Sequence, residues 1–190
     1  MSMKKSGALT SFSQFFFRKA NWKNGLMSTV LFTGYLIFLS NYGKSFEVSG
    51  DKVKSLGTTF GFGAEDVTAF FTERTDQMIT SYINFNQVWD FLFAVIYGLM
   101  YVIWLSVIYK PYSQKLWVFN LIPFVQVIFD WIENISLATL SKAYLAEENI
   151  SNSTLTLAST SSSLKWVVSI LVYLLIIFGI VLRLLKIMKK

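Results

Sequence analysis

The most informative polar residues inside otherwise apolar stretches of this chain are Asp90, Asp130, Glu133 and Asn134. An ionisable group within a membrane span is costly, and it usually faces a bundle interior or a wet cavity. Insertion scales put an aspartate at mid-span at about +2.5 to +3.5 kcal/mol, so partners are required. Pro123, Gln126, Asp130 and Glu133/Asn134 follow spacings of three and four, which places them on one helix face. A matching face is offered by Asp90, Ala94, Tyr97, Gly98 and Tyr101, and Lys165 opens the last apolar stretch as the expected counter-charge.

Three kinds of chemistry suit that set. In a structural reading, Lys165 pairs with one acid while Tyr97, Gln126 and Asn134 hydrogen-bond the rest and fix helix register. In an enzyme reading, Asp90, Asp130 and Glu133 hold a hard divalent cation such as magnesium, calcium or manganese, or act as acid and base on a lipid or small molecule. In a transport reading, the same acids relay a proton or cation. An accessory subunit of a larger complex is a fourth role. Below Gln126 the third stretch offers only Asn120, so a pocket open to one side fits these residues better than a path across.

The elements that must position these residues are membrane spans. Of the 190 residues, 54% are hydrophobic and 15% charged, against about 25% charged in soluble domains. Cysteine and histidine are both absent. Their absence excludes a disulfide framework, a thiol nucleophile, a histidine zinc site, a histidine triad and a histidine haem ligand. A span needs about 20 mostly apolar residues, and four stretches qualify: 25–42, 89–109, 116–140 and 164–185. The lead of 24 residues and the unsuitable sequence Phe38-Leu39-Ser40-Asn41 predict an uncleaved anchor for the first. Asp130, fourteen residues beyond Leu116, falls roughly 21 Å along a core about 30 Å thick. Asp90, Glu133 and Lys165 are expected in the same outer third.

Charge sets the threading. Lys4, Lys5, Arg18, Lys19, Lys23, Lys110, Lys115, Arg183, Lys186, Lys189 and Lys190 flank the spans on one side with no acid among them. The segments on the other side carry Lys44, Lys52, Lys54, Arg74, Lys142 and Lys165 against eight acids, Glu47, Asp51, Glu65, Asp66, Glu73, Asp76, Glu147 and Glu148. The positive-inside rule then puts both ends of the chain in the cytoplasm, with the cell (plasma or inner) membrane as the expected location. The net charge of +6 belongs to short flanking segments rather than one soluble face, so anionic lipid headgroups, not nucleic acid, are the expected partner. Phe12, Phe15, Phe16 and Phe17 beside Arg18, Lys19 and Trp22 predict an amphipathic segment lying on the cytoplasmic membrane surface. A homo-oligomer or a larger membrane complex stays open.

Two outer loops complete the chain. The first, 43–88, is too long for a connector, and Val67, Phe70, Phe71, Met78 and Tyr82 predict an amphipathic helix over 64–82. The glycine-rich 57–63 before it lacks the lysine and the strand of a phosphate-binding loop and reads as a flexible turn. The second loop, 141–163, is rich in serine, threonine and asparagine and is expected to be solvated and mobile. Asn149 and Asn152 match the N-glycosylation acceptor pattern there, whereas Asn134 matches it within a span.

Together these features predict an all-α, polytopic membrane four-helix bundle whose partly helical first outer loop caps an acidic outer-leaflet pocket. Asp90 with Tyr97 seven positions on, Pro123 followed by Asp130-x-x-Glu133-Asn134, and a serine/threonine run ending Leu164-Lys165-Trp166 resemble a family of small four-span membrane proteins of no assigned activity. The resemblance spans Phe60 to Val172. It departs from the family pattern at Met78-Ile79, where a Gly-Arg pair is common, and at Ala94, near a common proline. It implies the four-span fold and carries over no activity. Claudins and tetraspanins share the loop plan but depend on disulfides that this chain cannot form.

Overall fold

The computed structural model describes residues 8–50, 55–112 and 114–188. The expected flanking charges Lys4, Lys5, Lys189 and Lys190, and the loop charges Asp51, Lys52 and Lys54, lie outside the described residues, as does the side chain of Lys115. Seven α-helices make up the described chain: α1 (Ala8–Lys19), α2 (Trp22–Gly43), α3 (Ala64–Thr72), α4 (Asp76–Asn84), α5 (Phe91–Tyr109), α6 (Ile122–Leu145) and α7 (Asn152–Met188). No strand occurs among them, so the fold is all-α as expected.

Among the described residues, three helical stretches are long and apolar enough to cross a membrane: Asp76–Tyr109, Leu116–Leu145 and Asn152–Met188. They contain the second, third and fourth expected spans. The first expected span coincides with α2, which is not among the three. Its 22 residues include Lys23, Asn24, Ser28, Thr29, Thr33, Ser40 and Asn41, which dilute its apolar character. Its outward face is nonetheless apolar, with Met27, Val30, Leu31 and Ile37 all exposed.

α5 is the hub. It packs against α2, α6 and α7, while α6 and α7 form the most extensive pair. Two glycines permit the closest approaches. A Cβ on Gly98 of α5 would come within 2.5 Å of Val127 Cγ2 on α6, and one on Gly179 of α7 would strike Ile108 and Tyr109 on α5. Small residues at such crossings let backbones approach where no hydrophobic force drives helices together.

Several elements differ from expectation. The helix expected over 64–82 is broken into α3 and α4 at Glu73–Thr75. The break follows from Arg74, a buried guanidinium that donates to the carbonyls of Phe46 (2.8 Å) and Phe70 (2.7 Å) and lies 3.5 Å from the Phe70 ring centroid. Thr75 then caps α4, its hydroxyl accepting from the Met78 amide. Phe46, Leu56, Phe70, Phe71, Ile79 and Tyr82 bury one apolar cluster against Leu137 and Leu140 of α6, so the loop is a packed cap. Each such large side chain contributes about 1.5–3 kcal/mol when fully buried.

The serine-rich segment 141–163 is not a mobile loop. α6 runs to Leu145, Glu147 adopts φ 56° at its end, and α7 begins at Asn152. Its small hydroxyls pack inward: Ser162 donates to the Thr59 carbonyl at 2.7 Å, and the Phe62 amide donates to Ser159 at 3.0 Å. Asn149 and Asn152 are exposed and Asn134 is buried; Asn152 is the first residue of α7 and so belongs to the third membrane-compatible stretch.

Pro123 does not kink a continuous third helix. It sits in the first turn of α6, where 3₁₀ geometry over Gln114–Leu121 gives way to α-helix. A missing N–H costs nothing there, because the first turn has no intrahelical acceptor for it. Asn120, in the 3₁₀ segment, donates to Ser106 Oγ at 2.9 Å and to the Ser13 carbonyl at 3.1 Å, tying α1 to the bundle. The amphipathic arm is thus helical and docked: Phe17 and Ser13 are buried, while Phe12 and Phe15 point outward.

Candidate functional site

The approach of Asp90 is unusual. Between α4 and α5 the chain makes a π-helical turn, Phe85–Asp90, a distortion that recurs at functional sites. Side chains from both neighbouring helices fasten its end. Tyr35 of α2 donates to the Trp89 carbonyl at 2.9 Å, and Trp131 of α6 donates to the Phe91 carbonyl at 3.0 Å. Asn86 within the turn donates to the Tyr82 carbonyl at 2.8 Å. Asp90 is therefore held from both sides by contacts that do not use its carboxylate.

The α6 face emerges as the spacing predicted. Gln126, Asp130, Glu133 and Asn134 are all buried, Glu133 and Asp130 at 0% and 2% exposure, and so is the opposing face of Ala94, Tyr97 and Gly98 on α5. Tyr97 donates to Asp130 Oδ2 at 2.9 Å. Lys165, from α7, brings a buried ammonium between the two acids: it pairs with Asp130 Oδ1 at 3.0 Å and with Glu133 Oε2 in a close contact. Its third partner is the carbonyl of Gly57 at 3.0 Å. An ammonium has three donors, so Lys165 is saturated.

The structural expectation gave Lys165 one acid; it holds two. The glycine-rich stretch read as a flexible turn supplies the third acceptor. That role was invisible in sequence, since any residue offers a carbonyl and only the fold brings this one to Lys165.

Asp90 makes no ion pair among the described residues, though it stands within electrostatic reach of Asp130 and Lys165. It lines a cavity of about 220 Å³ together with Tyr97, Gln126, Asp130 and Lys165. The rest of the wall is largely aromatic: Phe32, Phe85, Phe93, Tyr101, Trp166 and Tyr173. Tyr101 donates to the Tyr173 hydroxyl at 3.2 Å across the inner side of this space. A second cavity of about 340 Å³ shares Ser55, Thr58, Phe85, Asp90 and Phe93 with the first and continues to Glu47. Asp90 thus sits where the two spaces meet. No family model matches this chain, and no curated protein or solved structure matches it either.

The assignment of chemistry therefore rests on the residues themselves. The cavity brings together Asp90, Tyr97, Gln126, Asp130 and Lys165 from the expected set. Glu133 and Asn134 lie beside it, buried; Asn134 stands within hydrogen-bonding reach of Asp90 and Ser162 within that of Glu133, while Gln126 Oε1 has no protein hydrogen-bond partner. The expected hard-cation site is not formed. Among the described residues no three carboxylates gather into a metal-holding group. The physical reason is Lys165, whose ammonium fills the position between Asp130 and Glu133 that a metal would occupy. The aromatic lining from α2 and α7 was missed in sequence, because a tyrosine or tryptophan in a span carries no mark that separates a cavity wall from a lipid-facing anchor.

Proposed function

We propose that this is a four-span integral membrane protein, with α2 as the span that joins the three long helical stretches and both ends of the chain cytoplasmic, which binds a small organic ammonium in its outer cavity. The observation that carries the ligand is a charge imbalance. Asp90, Asp130 and Glu133 face one lysine, and the three donors of Lys165 are already used. An uncompensated charge in a low-dielectric interior is strongly unfavourable, so Asp90 calls for a positive partner from outside the chain. Aromatic rings around a carboxylate are the environment in which organic ammonium groups are held.

The sidedness of the eleven basic residues supports the cytoplasmic ends and a plasma or inner membrane location. The exposed apolar face of α2 supports its role as a span. The Pro123 and Asp130-x-x-Glu133-Asn134 pattern supports membership of the small four-span family. The purely structural reading is favoured by the saturation of Lys165, and the two readings differ at Asp90. A transport reading has less in its favour, since inward of Tyr101 the cleft lining as far as Arg183 offers no ionisable group and, apart from Thr29 and Thr33, is apolar or aromatic.

The test compares 2-phenylethylamine with the neutral 2-phenylethanol by thermal unfolding in a neutral detergent. The amine should raise the midpoint in a saturable way that Asp90→Asn abolishes, and the alcohol should not. Equal responses to both, or an amine response kept in Asp90→Asn, would leave only the structural reading. Reporter fusions test the threading: an outer-side signal from either end overturns it.

A further inference from the structure

The inner end of the bundle holds a third and larger cleft. α2 and α7 both pack on α5 and make no comparable contact with each other. The gap between them measures about 650 Å³, inside the roughly 300–1,000 Å³ range of ligand sites. Apart from Thr29 and Thr33 of α2 its walls are largely apolar, with Met100, Trp104 and Ile108 from α5 facing Ile176 and Ile180 from α7. At the inner mouth stands Arg183, one helical turn beyond Gly179, the residue that lets α7 close on α5.

Arg183 is fixed there. It donates to the carbonyl of Ile108 at 3.2 Å and to that of Val107, and its guanidinium lies 5.5 Å from the Trp22 ring on the far side of the cleft. Those two bonds use two of its five donors. Arg183 also lines an adjoining cavity of about 240 Å³ with Tyr112 and Lys186. The Tyr112 hydroxyl is buried there without a protein hydrogen-bond partner, and the Lys186 ammonium sits 5.4 Å from the Tyr112 ring. An apolar slot therefore ends at two cations and an unpartnered phenol. The neighbouring charges Arg18, Lys19, Lys23 and Lys110 are basic as well.

We propose that the cleft between α2 and α7 binds one anionic phospholipid of the leaflet on the basic side, an acyl chain lying along α5 and the phosphate held by Arg183, Lys186 and the Tyr112 hydroxyl. The site differs from a general attraction of headgroups to basic loops, because it joins a slot of defined shape to donors at one end of it. It rests on the membrane reading; Phe32 and Tyr101 line both this cleft and the outer cavity, but Asp90, the carboxylate of the ammonium site, is not part of it.

The test titrates the protein, in neutral maltoside detergent, with dioleoylphosphatidylglycerol, dioleoylphosphatidylcholine or sodium phosphate, counting bound lipid by native mass spectrometry and following the unfolding midpoint. One phosphatidylglycerol per chain should bind at least tenfold tighter than phosphatidylcholine, and phosphate alone should do nothing. Lys186→Gln, which removes a cation, and Ile180→Trp, which fills the slot, should each weaken phosphatidylglycerol binding about fivefold or more. Neither residue holds a helix carbonyl, so both variants keep the fold. Equal affinity for the two lipids, full stabilisation by phosphate, or unchanged affinity in both variants overturns the proposal. A chain that stays monodisperse without detergent overturns the membrane reading instead.

Discussion

The two ends of this bundle treat charge in opposite ways. At the end proposed to face outward, Asp130, Glu133 and Lys165 are buried together and bonded through the lysine, to Tyr97 and to a loop carbonyl. At the inner end the cations line clefts or face outward, and no acid accompanies them. The outer arrangement demands geometry, because a buried charge without its partner is penalised far beyond what the pair itself contributes. The inner arrangement demands only proximity to a surface. Charge therefore dictates helix register at one end, and at the other it is free to recognise something else.

The largest test of that contrast is Lys165→Met. Removing the ammonium leaves Asp130 and Glu133 buried beside each other, at a cost of about 3–5 kcal/mol. Lys186→Met, a change of the same type at the inner end, should stay within about 0.5 kcal/mol. Equilibrium unfolding in detergent measures both, and similar losses would break the comparison. Next comes Tyr97→Phe, which takes a hydrogen bond from a buried carboxylate and should cost about 1.5–3 kcal/mol. Its inner counterpart, Tyr112→Phe, removes a hydroxyl with no protein partner and should be nearly silent in the absence of lipid.

Gly98→Val probes the approach that makes the outer cluster feasible. The added carbons meet Val127, so α5 and α6 must separate, at about 1–3 kcal/mol for overpacking. Shifting α5 also moves Tyr97 away from Asp130, so ammonium binding should weaken in step with stability. A variant that unfolds earlier and binds the amine normally would show that the α5–α6 spacing does not set the site.

How much of this was legible in the sequence depends on which force did the placing. The buried face of α6 was legible because burying Asp130 and Glu133 in a span is tolerable only inside a bundle, and the three-four spacing then fixes the face. The docking of Lys165 was legible because it opens the last apolar stretch at the depth expected for the acids. Other features depend on atoms that a one-letter code does not distinguish. The Gly57 carbonyl, the π-helical turn before Asp90 and the buried guanidinium of Arg74 arise from backbone positions set by tertiary packing. The serine-rich segment misled for a related reason: small hydroxyls suit a solvated loop, yet they equally let the outer part of α7 press against the cap through Ser159 and Ser162. Pro123 misled because one residue can kink a helix or begin it, and only the preceding 3₁₀ turn decides between the two.

The smallest expected effect on stability falls on the residue most important to the proposed function. Asp90→Asn removes a carboxylate with no ion pair, keeps the shape, and leaves the backbone anchors from Tyr35 and Trp131 untouched. The stability change should lie within about 1 kcal/mol and can favour the variant, since one uncompensated negative charge disappears from the cavity. Asp130→Asn should behave differently, because it breaks the contacts with Lys165 and Tyr97 and should lose at least about 2 kcal/mol. A site kept for binding predicts this inversion, with the carboxylate that contributes least to folding carrying the recognition. If Asp90→Asn instead destabilised as much as Asp130→Asn, Asp90 would belong to the same closed network as Lys165, and the outer end would be a lock with no room for a ligand.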